Sequence, residues 1–292
     1  MFKRYLSFKI EDSELDISHA LLRMATFLVL IFVMPSKEYF IKFIEINQLS
    51  QCSDYVFYSL PFRLTADSIR WISSVMVVFS IFSAVGFLFR FSAFMTFISF
   101  SILILHALGS CYSNHYIYPI GLVLLLWVIN GSPGRYSVDN YFRKTKIVSK
   151  SYIFTFLKIY FALAFFFAGL SKLMNSGTAW FTENSLQNMM AIQNYMHEGH
   201  LDYNRFSQIN QFVLGYPTSI KILAFLVVLV EIMALLTIFL KKNGIYIVMS
   251  LALMQIGIKI LMYISFTPWM ILYFPWIIPI GEDICRKKSL KK

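Results

Sequence analysis

Apolar stretches of roughly 15–22 residues recur along almost the whole chain, and no other feature limits its fold so tightly. A helix of about 20 residues spans the hydrocarbon core of a bilayer, where every backbone polar group has to be satisfied within the segment itself. Such stretches lie at 18–34, 69–89, 92–108, 115–130, 152–171, 219–240, 245–263 and 267–281. The fourth and the last are the short ones. The expected fold is therefore an all-α integral membrane protein, a polytopic bundle of about eight transmembrane helices in a single domain over 1–292. Composition excludes a soluble domain: 14% of the residues are charged, against about 25% in ordinary soluble proteins, and 58% are hydrophobic. No internal repeat or low-complexity linker divides the chain.

The formal net charge of +11 is a topology signal rather than a nucleic-acid signal. With the N-terminus placed in the cytoplasm, the inner connections carry Lys3, Arg4 and Lys9; Arg90; Arg135, Arg143, Lys144, Lys146 and Lys150; Lys241 and Lys242; and Arg286, Lys287, Lys288, Lys291 and Lys292. The outer connections contain more residues yet hold only Lys37, Lys42, Arg63, Lys172 and Arg205. That is the asymmetry of the positive-inside rule, and it puts both termini in the cytoplasm. Residues 1–17 read as a cytoplasmic amphipathic segment, 172–218 as a large outer loop and 282–292 as a basic cytoplasmic tail. Lys3, Arg4 and Lys9 run into Glu11, Asp12, Glu14 and Asp16 rather than into an apolar core, so no cleavable leader is expected. The basic connections suit anionic lipid headgroups.

In this topology polar residues gather on the outer side. The third span ends at His106, the fourth begins at His115, and the fifth ends at Lys172; the loop beyond holds Trp180, Glu183, His197, Glu198, His200 and Asp202. A loop of that length usually carries structure of its own or a function. Lys172 closes the run Tyr160-Phe-Ala-Leu-Ala-Phe-Phe-Phe-Ala-Gly-Leu-Ser-Lys172. An ammonium at that point either snorkels to the interface or takes part in chemistry.

Phe-Phe-Phe-Ala-Gly-Leu-Ser-Lys172-Leu followed by Trp180 resembles the Phe-x-Ala-Gly-x-x-Lys-Leu…Trp motif of the vitamin K-dependent γ-carboxylase superfamily, whose bacterial members include the horizontally transferred transmembrane (HTTM) domain proteins. Ser113-Asn114-His115-Tyr116 is similar to the Asn-His-x-Tyr pattern before a span there, and Ser137-Val138-Asp139 to the Ser-Val/Leu-Asp after it. The resemblance covers roughly 20–285. It implies a reduced quinone as cofactor, Lys172 as the base that deprotonates it, and His115 assisting with Asn114 orienting the imidazole. Trp180 and His106 become candidates for the cofactor side of the site. A desolvated amine favours its neutral form, which is a competent general base, and imidazole exchanges protons near neutrality. Two features depart from the pattern. The Gly often found soon after the Trp is replaced by Trp180-Phe-Thr-Glu-Asn184, and no large extramembrane domain for propeptide binding is expected after the last span.

Elsewhere the residues point to structure. Glu231, Lys158 and Lys259 fall within spans, so Glu231 is expected to pair with Lys259 or Lys158. Cys52 and Cys111 fall in outer connections, where a disulfide is permitted if that side is oxidising, whereas Cys285 is on the inner side. No metal is expected, because His197 and His200 alone make a poor ligand set. Asn130-Gly-Ser-Pro-Gly134 reads as a turn between helices.

Two function classes remain open. One is an enzyme of the bacterial cytoplasmic membrane, acting at the outer face on an exported peptide or lipid. The other is a non-catalytic multipass partner, or accessory membrane subunit, in maturing or exporting a secreted peptide toxin. A small transporter is less well supported, for no inverted repeat or paired broken helix is visible. In each reading the lipid bilayer is a partner and nucleic acid is not.

Overall fold

The computed structural model describes residues 12–33, 64–109, 118–143, 152–196, 201–240, 243–262 and 269–276, and among these residues there are helices and turns but no strand. The helices are α1 (Asp12–Val33), α2 (Ala66–Val85), α3 (Phe89–Gly109), α4 (Tyr118–Asn130), α5 (Val138–Arg143), α6 (Tyr152–Ser176), α7 (Ala179–Thr182), α8 (Ser185–Met196), α9 (Leu201–Leu214), α10 (Pro217–Met233, prolonged by the 3-10 turn Ala234–Ile238), α11 (Gly244–Met262) and α12 (270–276). Five stretches are long and apolar enough to cross a membrane: α2, Phe89–His106 of α3, α6, Pro217–Ile238 and α11. The helix α1 covers the first expected span but starts earlier, at Asp12. With 13 residues, α4 is about 20 Å long, short of a hydrocarbon core of about 30 Å.

These helices form two compact units. In the first, which includes the described residues up to Phe154, α2 packs along α3 and both are joined by α1 and α4. Small hydroxyl residues let α2 and α3 approach closely, with Ser83 and Ser92 hydrogen-bonded at 3.0 Å and Ser80 and Thr96 fully buried. Trp127 of α4 is the centre of this core. Its indole N–H donates to Thr26 Oγ1 at 3.2 Å, and its ring meets His19 and Phe89 edge-on at 4.9 and 5.8 Å.

A polar knot closes one end of this unit. Arg23, buried on α1, donates from Nε to Ala84 O at 3.1 Å, from Nη2 to Tyr136 O at 2.7 Å, and from Nη1 to Pro133 O. The Asn130–Gly134 stretch is therefore more than the turn its sequence suggests. Asn130 donates to Ser132 O at 2.8 Å, accepts from Tyr152 Oη at 3.1 Å, and lies 3.4 Å from the buried His19 imidazole. The helix α2 ends at Gly86, whose φ of +73° suits a residue without a side chain, and whose amide donates to Ser83 O. A Cβ there would stand 2.5 Å from Ser137 Cβ, so both the backbone angle and the space require glycine.

The Ser137-Val138-Asp139 motif has a mechanical role in this knot. Ser137 Oγ accepts from Asn140 N at 3.2 Å and starts α5. Both carboxylate oxygens of Asp139 accept backbone N–H groups, from Leu88 and Phe89, at 2.8 Å each. They cap α3 and hold Leu88 at φ +44°, a left-handed conformation that costs a non-glycine residue roughly 1–2 kcal/mol. Asp139→Ala is expected to destabilise the protein by about 1–2 kcal/mol, measured as a lowered thermal midpoint in detergent. A midpoint equal to that of the unaltered protein would show that the cap contributes nothing.

In the second unit, which takes in Thr155–Phe266, the segment expected to be an outer loop is built of α7, α8 and α9. These pack on α10 and α11 through a cluster of Met190, Ile220 and Met262. Asn210, fully buried on α9, donates to Leu261 O at 2.5 Å, and Gln187 of α8 donates to Leu214 O at 3.3 Å. Phe161 of α6 lies against Phe165 and Trp276.

Candidate functional site

The ordered elements of the second unit bring Lys172, Glu231 and Trp180 together. The apolar run that ends at Lys172 does not end its helix: α6 continues through Leu173-Met174-Asn175 to Ser176, and Gly177 at φ +56° terminates it. Lys172 therefore projects from a helix one turn short of its end. Three residues earlier, Gly169 meets α10, where a Cβ would stand 2.9 Å from Glu231 Cβ and 3.3 Å from Ile232 N. Glycine at this position lets the two backbones close up. Because residues three apart share a helix face, Lys172 is carried to the same crossing. The glycine and the lysine of the Phe-x-Ala-Gly-x-x-Lys pattern thus serve one contact.

Lys172 Nζ lies 2.5 Å from both Glu231 Oε1 and Oε2. The Glu231 side chain is 4% exposed and that of Lys172 23% exposed, so the amine is the side of the pair that a ligand reaches. Trp180 of α7 covers the amine, its ring centroid 5.7 Å from Nζ, within the range of a cation–π contact. Its indole Nε1 is buried and has no hydrogen-bond partner among the described residues. A flat ring and an uncommitted donor beside the amine suit an aromatic ligand bearing oxygen atoms.

This arrangement corrects one expectation. Glu231 pairs with Lys172, not with Lys259 or Lys158; Lys158 instead sits over the Trp276 ring, 4.7 Å from its centroid. Lys172, for which the interface and a site were both open, faces a protein partner. Its partner is the fifteenth residue of α10, on the order of 20 Å along the helix from Pro217. The amine is turned toward a buried carboxylate near the C-terminal end of α10.

His106 is a buried residue of α3 and belongs to the first unit. Asn114, His115, Cys52, Cys111, His197 and His200 lie outside the described residues. No group of His, Cys, Asp or Glu suited to a metal ion occurs among the described residues. The sequence signal for Glu231 was plain, an acid inside an apolar helix, but its partner could not be read from spacing 59 residues away.

The chain matches the HTTM domain family over residues 11–279. It belongs to that family. The match takes in every described helix of both units, and with the apolar helices it marks the chain as a membrane protein. No curated protein and no solved structure matches it.

Proposed function

We propose that this HTTM protein is a membrane-embedded enzyme that uses Lys172 as a base, acts at the outer face of the bacterial cytoplasmic membrane on an exported peptide or lipid, and employs a reduced quinone. The observation that carries this reading is the placement of the Lys172 amine inside a helix crossing, on a buried carboxylate and under the Trp180 ring. Ionisable groups buried between apolar helices are expensive to hold there and are a mark of function. Trp180 offers a stacking surface and an indole N–H to a quinone oxygen, and Lys172 accepts its proton. The quinone, when bound, supplies the redox equivalents. His115, reached by the eight-span topology with both termini inside, assists the proton transfers, and Asn114 orients it.

Lys172→Ala and His115→Ala are each expected to lower turnover at least 100-fold, the usual contribution of a positioned acid or base. The measurement compares variants with equal membrane levels and intact size-exclusion profiles. It follows oxygen uptake with menaquinol, together with the mass of peptides secreted by the host strain. Full function in both variants would overturn the enzyme reading and leave the HTTM protein as a non-catalytic partner in peptide maturation.

A further inference from the structure

We propose that Glu231 is the positioning and proton-holding residue of the Lys172 site, a role that rests on the reading of Lys172 as a base. At rest the carboxylate holds the amine as an ammonium, and when a ligand engages the site it takes that proton. The balance is simple. An N–H bond of the Lys172 ammonium breaks, an O–H bond forms on Glu231, and an amine beside a carboxylic acid replaces an ammonium beside a carboxylate. Nothing is oxidised and the pair stays neutral, so the step moves no net charge into an apolar site. The amine then accepts the proton of the ligand's hydroxyl, and the new ammonium stands beside the anion it has formed.

Three observations support this assignment. Both carboxylate oxygens accept from Nζ, so the two groups are in direct contact with nothing between them. Gly169 removes the side chain that would hold the two helices apart. Neither residue makes an ion pair with any other group among the described residues. The other titratable groups described on the elements around the pair are Tyr152, Lys158 and Tyr160 of α6, Glu183 after α7, Tyr195 of α8, Lys221 of α10, and Tyr246 and Lys259 of α11, and none is seen to hydrogen-bond to Lys172 or Glu231. A purely architectural pair needs contact but no particular proton arrangement, and it leaves its amine covered. Here the amine is the more exposed member and carries an aromatic ring over it.

The test is reductive methylation of the detergent-solubilised full chain with formaldehyde and dimethylamine–borane at pH 7, which modifies only neutral amines. Mass spectrometry of the Lys172 peptide gives the rate, with Lys259 of the same chain as reference. Glu231→Gln is expected to raise Lys172 labelling at least tenfold, and Glu231→Asp, which keeps the charge on a shorter arm, by an intermediate factor. With menaquinol, Glu231→Gln is expected to lower kcat at least tenfold with KM within about twofold, and Glu231→Asp to recover part of the loss. Equal labelling of Lys172 in the unaltered chain and a correctly folded Glu231→Gln variant would overturn the proposal. If Glu231→Gln does not fold, unchanged labelling in Glu231→Asp overturns it instead. Turnover that survives Lys172→Ala overturns the enzyme reading alone and leaves the labelling result standing.

Discussion

Arg23→Met is expected to destabilise the protein by on the order of 3–5 kcal/mol. The guanidinium is 2% exposed and supplies hydrogen bonds to the carbonyls of Ala84, Pro133 and Tyr136. Methionine fills much of the same volume but donates nothing, so three acceptors around the end of α2 and the 131–137 turn lose their donor. Neighbouring parts of the knot depend on the same geometry, since a Cβ on Gly86 would stand 3.1 Å from Arg23 Nη1. The control is Arg70→Met. Arg70 is exposed and paired with Asp67 one turn away at 3.0 Å, and its loss is expected to stay within about 1 kcal/mol. Unfolding of both variants by heat in the same detergent checks the difference, and similar midpoints for the two would show that the buried contacts of Arg23 do not hold the knot.

How much of this was visible beforehand differs from element to element. Helices and their apolar character follow from one-dimensional pattern, because each segment has to satisfy its own backbone. Among the described residues, the five helices long and apolar enough to cross a membrane accordingly fall on expected spans, while α7, α8 and α9 lie where only an outer loop was expected. Lys172 also stood out, as did the glycine before it. The extent of its helix did not, because the end of an apolar run was taken as the end of a span, whereas Leu173 and Met174 carry α6 onward. The partner of Glu231 was illegible as well, because Lys172 stands 59 residues away and no spacing rule joins the two. Arg23 was illegible for a different reason. Its acceptors are backbone carbonyls 61, 110 and 113 residues away, and a carbonyl carries no side-chain signature in a sequence. The Ser137-Val138-Asp139 motif could be recognised as a pattern, but its capping of α3 becomes apparent only once Asp139 is seen beside Leu88 and Phe89.

Opening the Lys172–Glu231 pair from one side only is expected to destabilise the second unit, and removing both charges together is expected to restore it. Glu231→Leu leaves an ammonium facing an apolar helix, and Lys172→Met leaves a carboxylate that is 4% exposed, each costing about 3–5 kcal/mol. In Lys172→Met/Glu231→Leu no charge remains to be desolvated, and the replacements keep most of the volume. The double variant is therefore expected within about 1–2 kcal/mol of the unaltered protein, a coupling of several kcal/mol. Additive losses in the double variant would show that the two groups do not meet in the folded protein. The same variant separates architecture from chemistry, for it is expected to fold and to be inactive. An ion pair kept for stability alone is one that an apolar pair replaces without loss. Retained stability with lost turnover would place the reason for these two charges in the proton transfer they perform, and the lysine that closes the apolar run would then be explained by the carboxylate it meets.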